Sequence, residues 1–182
     1  MPKTFEEGHL RFQFDDSWFV IKYDEHPDYR ERIERLDGTK AVDFVAVHMD
    51  SQLFLIEVKD FRGHRIENQP RLREGELALE VGQKVRDTVA GIIAAYHRGN
   101  DEDWERVVRR MGCRESPVRV ILWLEQDLPG PPGRRSNQAS VLIDALKSRL
   151  QWLTPRILVI PRTGNAPHGL EVTNRPGAGR AP

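Results

Sequence analysis

Two apolar runs four residues apart constrain the fold of this chain more than any other feature. Ala41 to His48 reads AVDFVAVH and Leu53 to Lys59 reads LFLIEVK, with Met49-Asp50-Ser51-Gln52 between them. Both runs are rich in β-branched and aromatic residues, and a short polar link of this length predicts an antiparallel hairpin. Apolar residues occupy both parities of each run, the pattern of central strands covered on both faces. Charges in such strands are costly unless paired or metal-bound. Three are nevertheless present: Asp43, Glu57 and Lys59.

The flanking sequence supplies the rest of a mixed sheet with helices around it. Leu10 to Phe14 alternates apolar and polar residues, and Trp18 to Tyr23 is a second extended run. Asp24 to Gly38 is charged and broken by Pro27, a surface excursion with a short helical piece from Tyr29 to Leu36. Phe61 to Gly75 reads as loop. Leu77, Val81, Val85, Val89, Ile92 and Tyr96 recur at helical steps, so Glu76 to Arg98 is a helix stopped at Gly99-Asn100. A shorter helix is expected over 101–111, a strand over 118–125, a helix from Ser136 or Asn137 to about Leu150, and a last strand over 157–161. The fold class is therefore α/β (α+β): a mixed central β-sheet flanked by helices. A single domain is expected over 1–163, with 164–182 a flexible tail.

No apolar run approaches the ~20 residues of a spanning helix, and Glu6 and Glu7 fall where a signal peptide would be apolar. The expectation is a cytoplasmic protein without membrane attachment. The single cysteine, Cys113, excludes an intramolecular disulfide and a cysteine-based zinc cluster. His48, His64 and His97 lack the mutual spacing of a zinc site and read as surface residues. Trp104, Trp123 and Trp152 read as core.

Glu57 and Lys59 stand two apart, so a strand projects both from one face and Val58 from the other. If the hairpin closes about residues 49–52, the partner of residue n is about 101 − n, to within a few residues. Asp43 then lies opposite a position near Glu57 or Phe61. Two neighbouring carboxylates repel, and a divalent cation between them removes the conflict. A nearby ammonium can stabilise charge building on a phosphorus.

An acid followed by Glu-X-Lys on the second strand of a hairpin resembles the PD-(D/E)XK nuclease superfamily, with Val42 where the naming motif has proline. The resemblance covers about residues 18 to 125. It implies a restriction-endonuclease-like core with a catalytic hairpin, and a metal-dependent nuclease hydrolysing phosphodiester bonds, in DNA first of all, in restriction, repair or defence. It also implies Mg²⁺ or Mn²⁺ held by Asp43, Glu57 and the Val58 carbonyl, with Lys59 polarising the attacking water. A further acid before the hairpin would be Asp24 or Glu25. A Gln or Lys on the following helix would be Gln83, which has Lys84 and Asp87 beside it. The alternative is a catalytically inert module of the same fold that binds nucleic acid or protein.

Formal net charge is zero, with 28 basic and 28 acidic residues, so the overall field does not hold nucleic acid. Binding must come from local arginines or from a partner, a second protein or a second copy of the chain. Arg62 and Arg65, directly after Lys59, are the candidate phosphate contacts, with Arg71 and Arg73 further along.

Overall fold

The computed structural model describes residues 1–62, 75–99, 102–126 and 134–176, the side chains of 134–139 excepted. Eight strands and three helices follow in order. They are β1 (Lys3–Glu7), β2 (Leu10–Phe14), β3 (Trp18–Lys22), β4 (Phe44–His48), β5 (Gln52–Asp60), α1 (Glu76–Arg98), α2 (Glu102–Met111), β6 (Arg119–Glu125), α3 (Arg134–Leu150), β7 (Ile157–Ile160) and β8 (Leu170–Asn174). A 3-10 turn, Tyr23–Glu25, and a π-helical turn, Tyr29–Ile33, occupy the charged excursion.

Five strands form one mixed sheet in the order β3-β4-β5-β6-β7. The first three are antiparallel neighbours, whereas β6 runs parallel to both β5 and β7. Parallel neighbours need long crossovers, and here the crossovers carry α1 with α2, then α3. The doubly apolar strands are covered twice. Val45, Val47, Leu53, Leu55, Val120 and Leu122 join Val81, Val85 and Ile92 of α1 and Leu146 of α3 in one core. The opposite parity, Phe44, Phe54, Ile56, Val58, Ile121 and Trp123, joins Leu10, Phe12 and Phe14 of β2 in the other. Phe12 bridges the second core, its ring 5.2 Å from Phe44 and 5.5 Å from Trp123. Each such side chain, fully buried, contributes on the order of 1.5–3 kcal/mol.

The second layer on that face adds one strand and corrects one expectation. Lys3–Glu7 is a strand, and it pairs with β2 through a hairpin turning at Gly8, whose φ of 56° suits glycine. Leu170–Asn174, within the segment expected to be a flexible tail, is β8, and it pairs with β2 on the other side. Residues 177–182 of that segment lie outside the described residues. Both missed strands are mostly polar, because a two-layer edge buries only Phe5 and Val172 partly, and Leu170, against the large sheet.

The hairpin register is one residue tighter than expected. Phe44 pairs with Ile56 and Val45 with Leu55, so partners sum to 100, and the turn holds Met49 and Asp50 at positive φ. Trp104 and Trp123 are core as expected, but Trp152 is 53% exposed. His97 is exposed, and His48 is half-buried against Trp18, with ring centroids 4.5 Å apart. No helix among the described residues is long and apolar enough to cross a membrane.

Candidate active site at the open end of the hairpin

Strands β4 and β5 part company beyond the Phe44–Ile56 pair, and the site lies in the fork. The next amides of both chains go elsewhere. Val42 N donates to Thr88 Oγ1 at 3.0 Å and Lys40 N to Asp87 Oδ2 at 3.1 Å, both on α1. Val58 N donates to Asp43 Oδ2 at 2.6 Å. Tyr23 N donates to Asp43 O at 2.8 Å, tying the end of β3 to the same residue. Buried amides must find acceptors, and this pattern of substitutes fixes where Asp43 points.

Asp43 shares its parity with Val45 and Val47, and Glu57 shares that of Leu53 and Leu55; all four valines and leucines lie in the helix-facing core. Glu57 therefore faces that layer, whereas Asp43 lies in a bend just before β4, beside Val42 of the same core, and its carboxylate accepts from Val58 N and adjoins Glu7 and Asp24. Glu57 is fully buried and Asp43 nearly so. Lys84 Nζ lies 2.7 Å from Glu57 Oε1 and Lys59 Nζ lies 3.1 Å from the same oxygen. Both ammoniums reach the one oxygen, Oε1, and Oε2 is buried with no donor among the described residues. Lys59 also meets Glu80 Oε1 at 2.8 Å. Strand residues of one sign thus mate with helix residues of the other, Glu80 and Lys84 being one helical turn apart.

Electrostatics follow burial. Desolvation, then the Glu57 charge, pushes the Asp43 carboxyl up to about 8, against the pull of Lys84. Burial also raises Glu57, opposed by Lys84 and Lys59. For Lys59, burial pulls downward, but Glu57 and Glu80 outweigh it and hold the ammonium above its ordinary range.

A third group of acids adjoins Asp43. One oxygen from each of Glu7, Asp24 and Asp43 lies within 4.8 Å of the others, a cluster that could hold a metal ion. Lys22 reaches into it, 2.5 Å from Glu7 and 2.9 Å from Asp24. Of the two acids expected before the hairpin, Asp24 therefore joins Asp43. Glu25 stays 62% exposed, at 3.5 Å from Lys22.

Other expected site residues fall differently. The residue of α1 that reaches Glu57 is Lys84, whereas Gln83 is half-buried one step along. The signal was in the sequence: Glu80, Lys84 and Thr88 form an i, i+4 row beside the Leu77-Val81-Val85 stripe. Val58 turns its side chain into the opposite core and offers only backbone to the site. Arg62 was expected on phosphates but is already engaged. Its guanidinium donates to Asp60 at 2.5 and 2.8 Å and to Asn174 Oδ1 at 2.8 Å, clamping β8 to the end of β5. Arg65, Arg71, Arg73 and His64 lie outside the described residues. Glu7 went unrecognised, since only the β1–β2 turn brings it to residues far along the chain.

The donor set suits a hard divalent cation. Asp43, Glu57 and the Val58 carbonyl all offer oxygen, which Mg²⁺ and Mn²⁺ prefer, and Glu57 Oε2 is buried with no donor among the described residues.

A segment of a cysteine–tRNA ligase from Neisseria meningitidis serogroup A is 23% identical to this chain over 176 residues, covering 81% of the chain. The chain spans only 24% of that ligase. No family model and no solved structure matches the chain.

Proposed function

We propose that the chain is a metal-dependent nuclease of the PD-(D/E)XK type, hydrolysing phosphodiester bonds at the open end of the β4–β5 hairpin. The observation that carries this reading is Glu57: a fully buried carboxylate whose Oε2 has no donor among the described residues, beside buried Asp43 and the Lys59 ammonium. Such a group is expensive to keep, and a catalytic cation is the partner that its chemistry calls for. The antiparallel-to-parallel sheet with α1 after the hairpin is compatible with a restriction-endonuclease-like core.

Asp43, Glu57 and the Val58 carbonyl would hold Mg²⁺ or Mn²⁺, which supplies Lewis-acid polarisation of the phosphate and a more acidic water. Lys59, partly exposed between Glu57 and Glu80, would face both the cation and a phosphate. Its charge stabilises negative charge accumulating on the phosphoryl oxygens. Glu80 holds it there at 2.8 Å, and Lys84, 2.7 Å from Glu57, opposes the burial that disfavours its ionised form. Substrate contacts away from the scissile bond come from arginines other than Arg62, or from a protein partner or second copy. DNA is the first substrate of choice, and a relative named for acting on tRNA makes RNA the second.

A reading without cleavage has its own support: Lys59 and Glu57 each already have a partner of opposite charge. One experiment separates the two. Circular DNA, linear DNA and RNA are incubated with the chain in Mg²⁺ or Mn²⁺ and in EDTA, with Asp43→Asn as control. Metal-dependent cleavage by wild type alone establishes the nuclease. Retention of nucleic acid in a gel without cleavage in either metal establishes the binding module.

A further inference from the structure

Helix α1 meets the site through a row of side chains one turn apart. Glu80 Oε1 lies 2.8 Å from Lys59 Nζ, Lys84 Nζ lies 2.7 Å from Glu57 Oε1, and Thr88 Oγ1 accepts from Val42 N at 3.0 Å. Residues four apart stand about 6 Å along a helix axis and share a face. The first two contacts hold side chains of β5. The last differs in kind, because it holds backbone on the other strand, at the residue before Asp43. Thr88 and Val42 are both fully buried, and a buried amide must have an acceptor. The ladder that pairs Phe44 with Ile56 would, if continued, set Val42 opposite Val58. Thr88 takes the Val42 amide away from that ladder, and the Val58 amide meets Asp43 Oδ2 at 2.6 Å. Threonine is stiff at its first side-chain torsion, and full burial leaves its hydroxyl little freedom.

We propose that Thr88 is the positioning residue of Asp43: by capturing the Val42 amide it holds the end of β4 off β5, so that the Asp43 carboxylate, and not strand backbone, meets Val58 beside Glu57. This rests on the reading of Asp43 and Glu57 as a divalent-metal site and adds the element that sets their spacing. Helix α1 gauges the two strands against each other, with Lys84 on Glu57 and Thr88 on the residue before Asp43. Thr88 acts only through Val42. Asp87 adds a second strap, from its Oδ2 to Lys40 N at 3.1 Å, but Lys40 is three residues from Asp43 and the Asp87 carboxylate is shared with Arg86. Thr88 is therefore the strap that governs the direction of Asp43.

Thr88→Val keeps the shape and removes the acceptor, whereas Thr88→Ser keeps the acceptor and removes a methyl. Amide NMR of the full chain reads the geometry without metal or turnover. In Thr88→Val the Val58 amide resonance should move toward its position in Asp43→Ala, and in Thr88→Ser it should stay where wild type has it. Calorimetric titration should show Mn²⁺ affinity lowered about tenfold or more in Thr88→Val, as for a lost outer-shell contact, and restored in Thr88→Ser. Val107→Ala, in the α2 part of the same core, lowers stability without touching the strap and should bind Mn²⁺ as wild type does. A Val58 resonance unmoved in Thr88→Val overturns the proposal, as does wild-type Mn²⁺ affinity in that variant. Equal loss of affinity in Thr88→Ser or in Val107→Ala also overturns it, since stability and not the hydroxyl would then be responsible. Wild type that binds no Mn²⁺ sinks the metal-centre reading, and the Val58 resonance then decides the Thr88 assignment by itself. Should Thr88→Val not fold, Thr88→Cys takes its place with the same outcomes, because sulfur is a weak acceptor.

Discussion

At the closed end of the β4–β5 hairpin, Asp50 sits in the turn with its side chain 60% exposed, and Arg106 and Arg110 of α2 approach it at 3.7 and 3.6 Å. At the open end, Glu57 is fully buried, with Lys84 at 2.7 Å and Lys59 at 3.1 Å. Acids face bases at both ends of the same two strands, yet the energetics differ in kind. An exposed pair gains little, because water screens it and two long side chains must be ordered. A buried one carries a desolvation penalty that ion pairing repays only with good geometry and further hydrogen bonds, and Glu57 Oε2 has no donor among the described residues. The closed end has charges where they cost little. The open end keeps charges where they cost stability, and the proposed active site rests on that difference.

The comparison breaks first, and most visibly, at Asp43. Asp43→Ala should reduce metal-dependent cleavage to background and remove Mn²⁺ binding, whereas Lys59→Ala should lower kcat by about 10²–10³-fold and leave Mn²⁺ affinity nearly unchanged, because lysine is a charge acting on the reacting centre and not a ligand. Calorimetric titration with Mn²⁺ beside a cleavage assay checks both. Equal loss of affinity in the two variants would show that Lys59 has been assigned the wrong role.

Gly91 tests how tightly the open end is built. A Cβ there would stand 2.2 Å from Tyr23 Oη and 3.3 Å from Ile33 Cγ1, and Tyr23 is the residue whose amide holds the Asp43 carbonyl. Tyr23 is fully buried, so its ring has little room to retreat. Gly91→Ala should destabilise the chain by about 1–3 kcal/mol, read as a shift in denaturant midpoint, and should weaken Mn²⁺ binding as well. Loss of stability with unchanged metal affinity would uncouple α1 from the position of Asp43.

A pH series sharpens the same contrast. Asp43 binds its proton more tightly in the folded chain than in the unfolded one, with the carboxyl raised from an ordinary 3.8 to about 8, by burial and then by Glu57. A raised pKa gives stability that is complete below about 4 and is lost as pH climbs through about 8. In chelator, wild type should therefore lose stability relative to Asp43→Asn as pH rises from 5 to 9. The asparagine mimics the protonated acid and can still accept from Val58 N. Melting temperatures of the two that stay parallel over this range would contradict the assignment. Added Mn²⁺ should reverse the order at high pH, because a cation binds the ionised carboxylates.

The sequence made the hairpin, α1 and the charge triad legible because their signals are local: two-sided apolar strands, a helical stripe, and charged residues interrupting them. What it hid was long-range. Lys3–Glu7 and Leu170–Asn174 are strands only because each lies beside β2, and neither LEVTN nor KTFEE has enough apolar residues to announce a buried face. Glu7 reaches Asp43 through that same pairing. Lys84 was missed by one step of helical phase, with the Glu80–Lys84 spacing as the overlooked cue. Arg62 holds Asp60, two residues before it, a pairing the sequence did offer; its bond to Asn174 could not be foreseen without β8.

The smallest effect belongs to the closed end, and it is the control for all the others. Asp50→Asn removes the charge that faces Arg106 and Arg110 while keeping a residue that tolerates the φ of 46° required at this turn position. Arg106 retains the Phe19 ring, 4.8 Å from its guanidinium carbon, so its side chain is not set adrift. The exposed pair contributes at most about 1 kcal/mol and fades with salt. Asp50→Asn should therefore shift the denaturant midpoint slightly at low ionic strength, not at all in concentrated salt, and leave Mn²⁺ affinity and cleavage as in wild type. Asp50→Ala should cost more than Asp50→Asn, since alanine tolerates the left-handed turn poorly, and that excess should be indifferent to salt. A variant at Asp50 that disturbed metal binding would mean that strain at the turn is transmitted along both strands to the fork, and the two ends could no longer be treated as separate.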